Sequence, residues 1–112
     1  MNKRAIWYKA EEAVKNYLID EWYQIIHQNY TIRWWEVDIV AEKDNDRIFV
    51  EVKEVRQTHD LHDYITPKKI QTLYRTIEHF NLEFPSKKNL RIDLVFTKDN
   101  NIIHYYQNIS NN

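Results

Sequence analysis

The chain has 112 residues, 43% of them hydrophobic and 29% charged, with a net charge of −1, which suits one domain that buries roughly two-thirds of its unfolded surface. It has no cysteine, which excludes disulfide staples and thiolate metal sites and is compatible with a reducing cytosol. No apolar run approaches a membrane span, and the basic start MNKR meets Glu11 and Glu12 before a signal-peptide core develops, so the expectation is a cytoplasmic protein with one domain over residues 1–109 and a polar tail over 110–112.

Along the chain, Trp7, Ala10, Val14, Tyr17, Leu18 and Trp22 recur at helical spacing and predict an amphipathic helix over residues 4–22. Glu11 falls on the inward ridge with Val14 and Leu18, whereas Glu12 is rotated about 100° away into solvent. Residues 24–32 read as an edge strand. Two β-rich pairs follow, EVDIVAEK with RIFVEVKEV and LRIDLVFTK with IIHYYQNI, each joined by a polar turn, Asp44-Asn45-Asp46 and Asp99-Asn100-Asn101. With no glycine in the chain, positive φ has to be adopted by Asn or Asp. Between the pairs, Thr66 can cap a helix whose first position is Pro67 and whose apolar face is Ile70, Leu73, Ile77 and Phe80. The order helix, strands, helix, strands predicts an α/β (α+β) fold, a mixed sheet of four or five strands flanked by helices.

Charge is segregated. Residues 36–54 hold seven acids against three bases, and residues 66–91 hold six bases against two acids; an acidic centre with basic flanks suits a metal-using phosphodiesterase, though a solvated surface of a highly charged small protein has the same pattern. In IFVEVKEV, strand alternation puts Glu51 and Lys53 on one side about 7 Å apart, opposite Ile48, Val50 and Val52. Asp38 interrupts the preceding strand in the same way. A hairpin centred on Asn45 would pair Asp38 with Val52, so a bulge or a one-residue shift is needed for Asp38 to meet Glu51 and Lys53. If they converge, two carboxylates a few Å apart repel unless one is protonated or a cation bridges them. Oxygen ligands alone favour Mg²⁺ or Mn²⁺. Lys53 would stabilise charge on a reacting phosphate or assist a water, and Glu11 would add a further acid. The competing reading is a solvated edge strand with Asp38 capping a turn.

AEEAVKNYL, WWEVDIVAEKDNDRIFVEVKEVR, KKIQTLYRTIEHF, RIDLV and IIHYYQN resemble, in order over residues 8 to 109, the YraN family of predicted endonucleases, placed in the PD-(D/E)xK nuclease superfamily and similar to archaeal Holliday junction resolvases. The resemblance implies a restriction-endonuclease-like fold and Mg²⁺-dependent (or Mn²⁺-dependent) hydrolysis of DNA phosphodiesters. It matches Glu11, Asp38, Glu51 and Lys53 to the catalytic set, with Asp38, Glu51 and Glu11 as metal ligands. The family usually has glycine where Ala10 and Trp35 stand, and its basic position after the lysine is occupied by Val55, with Arg56 one residue beyond.

Lys68, Lys69, Arg75, Arg56 and Trp34 are candidates for binding DNA, the aromatic ring by base stacking and the cations by phosphate contact; Trp35, Lys87, Lys88 and Arg91 are weaker ones. His59, Asp60, His62 and Asp63 have ligand chemistry at close spacing but read as a solvated loop. Asp93 fits a structural pairing with Arg91 or a backbone amide better than a metal site. The alternative to an endonuclease is a catalytically inactive nucleic-acid-binding or interaction module that keeps the fold. A homodimer would add phosphate contacts to a small domain.

Overall fold

The computed structural model describes residues 3–33, 35–56 and 64–109. Within them α1 (Lys3–Asp20), β1 (Gln24–Ile32), β2 (Trp35–Lys43), β3 (Asp46–Glu54), α2 (Pro67–Glu83), β4 (Asn89–Lys98) and β5 (Asn101–Tyr106) follow in that order. The strands form one sheet in sequential order, β1 to β5. All neighbours are antiparallel except β3 and β4, the one pair that needs a crossover connection, which α2 supplies. The expected mixed sheet covered by helices is therefore present with five strands.

Each helix closes one face. Ala10, Val14 and Leu18 of α1 pack on Ile39, Ala41, Ile48, Val50, Val52 and Val95. On the other face, Leu73, Ile77 and Phe80 of α2 pack with Val37, Val40, Phe49, Ile92, Leu94 and Phe96. The alternation of β3 is thus as expected, Ile48, Val50 and Val52 toward α1 and Phe49 toward α2. Phe80 centres an aromatic cluster, its ring 5.0 Å from Tyr30, 5.6 Å from Phe49, 5.7 Å from His27 and 4.8 Å from Phe84. The Arg47 guanidinium lies 5.2 Å above it. Thr66 caps α2 by accepting from the Lys69 N–H at 3.2 Å, with Pro67 in the first turn.

Positive φ falls on Asn29, Asp44, Asp99, Asn100 and Asn108, as the absence of glycine requires. Among the described residues Trp22, at φ 70°, is the exception. Helix α1 ends at Asp20, and the Tyr23 N–H reaches the Leu18 carbonyl (2.9 Å) while the Trp22 N–H reaches that of Ile19 (3.1 Å), the paired bonds of a Schellman cap with tryptophan at the position glycine usually takes. That early end corrects the expectation that Trp22 continues the buried stripe: its side chain is 86% exposed. Helix α2 continues past Phe80, the last position of its expected apolar face, to Glu83.

Both hairpin turns are one residue tighter than expected. Lys43 pairs with Asp46, leaving Asp44 and Asn45 as the turn, and Lys98 pairs with Asn101. The correction matters for β2 and β3, because Ile39 then faces Val50 and the one-residue shift carries Asp38 and Glu51 to the same end of the ladder.

Candidate functional site

The β2–β3 ladder stops at Ile39–Val50. Beyond it the strands separate, and Asp38 Oδ2 accepts the Val52 N–H at 2.7 Å. A side-chain carboxylate thereby satisfies a buried backbone donor that the next rung would otherwise have taken. Asp38 and Glu51 are 5% and 6% exposed. Alternation directs Glu51 and Lys53 toward the α2 side, where the Lys53 ammonium lies 5.5 Å from the centre of the Tyr64 ring. Lys53 itself is exposed.

Glu11 joins from α1, 7% exposed on the inward ridge. Asn29, at φ 54° in β1, has one end of its side-chain amide 2.7 Å from both Glu11 Oε1 and Glu36 Oε1, and with Nδ2 turned to that end it donates to each. Glu36 is therefore a fourth acid of the cluster. The electrostatics reflect the crowding. Burial, then the charges of Asp38, Glu36 and Glu12, push the Glu11 carboxyl up to about 8. Burial likewise pushes Asp38 up to about 7, against the Val52 N–H, with the Glu36 charge adding to the rise. Glu51 is held well above the usual carboxylate range by burial and then by Asp38, with Glu36 and Glu11 contributing and the Asp38 amide opposing. Burial raises Glu36 as well. Burial, and then the charges of Glu51 and Asp38, push the Tyr64 hydroxyl up to about 12, so it remains a proton donor at neutral pH.

Glu11 Oε2 and Glu51 Oε1 are buried without a hydrogen-bond partner. Buried carboxylate oxygens without donors, beside further carboxylates, are suited to a hard divalent cation. Among the described residues, however, no group of three or more acidic or histidine side chains is drawn into a ready ion cage. Asn29 holds Glu11 and Glu36, and the Val52 N–H holds Asp38, so one oxygen of each is already engaged.

A groove of about 1050 Å³ runs between α2 and the β1–β2 corner, and Lys68, Lys69 and Arg75 line it together with Trp35. Lys69 Nζ sits 4.1 Å from the centre of the Tyr64 ring and donates to the Tyr64 carbonyl at 3.0 Å, so Tyr64 lies between this groove and Lys53. Arg56 is exposed past the end of β3 and is not part of the groove lining. Trp34 and the run from His59 to Asp63 lie outside the described residues.

Two expected phosphate contacts are otherwise engaged. Lys88 Nζ donates to the Asp44 carbonyl at 2.5 Å. Arg91 reaches Asp93 (3.1 and 2.9 Å) and Tyr23 (2.7 Å). Asp93, fully buried, also accepts from the Tyr105 hydroxyl (2.7 Å) and the Asn108 N–H (2.9 Å), the structural pairing expected for it.

Sequence reasoning missed Glu36, Asn29 and Tyr64. Glu36 had a readable signal, two residues from Asp38 on the same strand. Asn29 and Tyr64 had none, since their roles depend on which elements pack together.

Among known proteins, the model of the uncharacterised protein family UPF0102 matches residues 10–97. A UPF0102 protein of Campylobacter fetus is 29% identical over 103 residues, covering 92% of this chain and 91% of that protein. A UPF0102 protein of Sulfurihydrogenibium sp. is 39% identical over 101 residues, covering 84% of each. Among solved structures, an FdxN element excision controlling factor protein from Anabaena variabilis is similar at a TM-score of 0.48 and 13% identity, over 88% of this chain and 98% of that one.

Proposed function

We propose that this chain, which belongs to the uncharacterised protein family UPF0102, is a divalent-metal-dependent endonuclease of the PD-(D/E)xK type that hydrolyses phosphodiester bonds in DNA. The observation that carries the reading is the gathering of Glu11, Glu36, Asp38 and Glu51 into one mutually repelling cluster where the β2–β3 ladder ends, with Lys53 on the same side of β3 as Glu51. A fold has no structural need to crowd acids this way, because each raised carboxyl opposes folding at neutral pH.

Asp38 and Glu51 would hold Mg²⁺ or Mn²⁺, with Glu11 completing the oxygen set. The ion, when bound, supplies charge that stabilises the phosphate as it accepts a water oxygen. Lys53 places a cation against the same developing charge, and its exposure leaves the ammonium able to meet the substrate. Water attacks phosphorus, the ester P–O bond breaks, and the proton that the water gives up is balanced by the one that the departing oxygen takes up through solvent. Tyr64 positions Lys53 through its ring.

The test is nicking of plasmid, single-stranded and branched DNA with Mg²⁺ or Mn²⁺. Activity is expected to fall by at least about a hundredfold in Asp38→Ala and Lys53→Ala; activity unchanged in both variants would refute the assignment. A second reading, a catalytically silent nucleic-acid-binding module, is favoured by one feature, the absence of a ready ion cage among the described residues. Calorimetry separates the two: DNA binding without uptake of a divalent ion supports the second.

A further inference from the structure

The groove on the α2 side has two unlike walls. Lys68 and Arg75 stand seven residues apart on α2, which spaces them about 10 Å along one side of the helix, and both line the groove. The other wall has Ile32 and Trp35, neighbours in the last rung of the β1–β2 pairing, together with Arg33, and the α2 wall also carries Glu78. Cations around an aromatic side chain are the combination that tracks a polynucleotide backbone while stacking its bases.

Stacking on Trp35 requires an unpaired base. The faces of a paired base are covered by its neighbours in the stack, so only an unpaired base can lie against an indole inside a groove. Trp35 is half-buried at the edge of the α2-side core, which leaves part of its indole to line the groove.

The groove also approaches Lys53, because Lys69 of its lining and Lys53 both lie over the Tyr64 ring. We propose that this groove binds an unpaired DNA strand, stacking a base on Trp35 and contacting phosphates through Lys68 and Arg75. Hydrolysis of that strand rests on the nuclease reading above; the binding does not.

The experiment measures fluorescence anisotropy of a labelled oligothymidylate and of a duplex of equal length, each titrated with the full chain in EDTA, so that no hydrolysis intervenes. The single strand is expected to bind at least about tenfold more tightly than the duplex. Trp35→Ala should weaken single-strand binding by about 5- to 150-fold, the range for loss of one stacked base, and Trp35→Phe should keep most of it. Arg75 is exposed, so Arg75→Ala tests the groove without disturbing the core; it should flatten the dependence of log K on log salt by about 0.7. Equal affinity for the duplex overturns the proposal, as does an Arg75→Ala variant with an unchanged salt slope. Strand binding in EDTA without nicking in Mg²⁺ removes the catalytic reading and leaves the groove. Nicking with no preference for the single strand does the reverse.

Discussion

The acid cluster should make the fold less stable as pH rises, and the size of the effect follows from Asp38. Its carboxyl, ordinarily titrating at 3.8, is pushed up to about 7 by burial and the Glu36 charge. Over that interval the folded chain keeps a proton that the unfolded chain has released. The stability this group contributes is fullest below about pH 4 and is lost as pH climbs through 7. Between pH 5 and pH 8 about two pH units lie inside the window, at about 1.4 kcal/mol each, so Asp38 alone accounts for about 3 kcal/mol. In a domain of this size that lowers Tm by about 10 °C. Glu11 and Glu51 act in the same direction. The assay is a series of thermal melts from pH 5 to pH 8 in EDTA, comparing the native chain with Asp38→Asn. That variant keeps an oxygen to accept the Val52 N–H but cannot ionise. It should melt above the native chain at pH 8, and the difference should shrink or reverse at pH 5. Millimolar Mn²⁺ should raise the native Tm at pH 8 and leave Asp38→Asn nearly unmoved. If the two chains keep parallel Tm values across the pH range, the carboxylates are not confined together as described.

Trp22→Gly should stabilise the chain by about 1 kcal/mol in chemical denaturation, because it removes a left-handed tryptophan from the α1 cap while discarding a side chain that is 86% exposed. Asp93→Ala strips the acceptor from Arg91, Tyr105 and the Asn108 N–H and should cost about 3–5 kcal/mol, read as a lowered urea midpoint. Phe80→Ala opens the centre of the α2-side core and should cost about 3–5 kcal/mol by the same measurement.

Much of the architecture was legible before any coordinates. Period-two alternation separated Glu51 and Lys53 from Ile48, Val50 and Val52, and the spacing of Ile70, Leu73, Ile77 and Phe80 marked the inner face of α2. Both follow from strand and helix geometry alone. Among the described residues, the restriction of positive φ to Asn and Asp held at five of six positions. Trp22 departs from it because the helix cap, and not the residue's own preference, sets its backbone. Hairpin register was not legible: a three-residue and a two-residue turn use the same Asp-Asn-Asp letters and differ only in whether Lys43 meets Asp46.

Local periodicity is written in the order of residues, so the elements, their inward faces and the inward turn of Glu11 belong to the sequence itself. Which carboxylates share one poorly solvated space depends on distances through space between chain segments far apart in number. The end of the β2–β3 ladder, the Asn29 bridge from Glu11 to Glu36 and the pairing of Trp35 with the basic side of α2 across one groove arise only when the two helices close on opposite faces of the sheet.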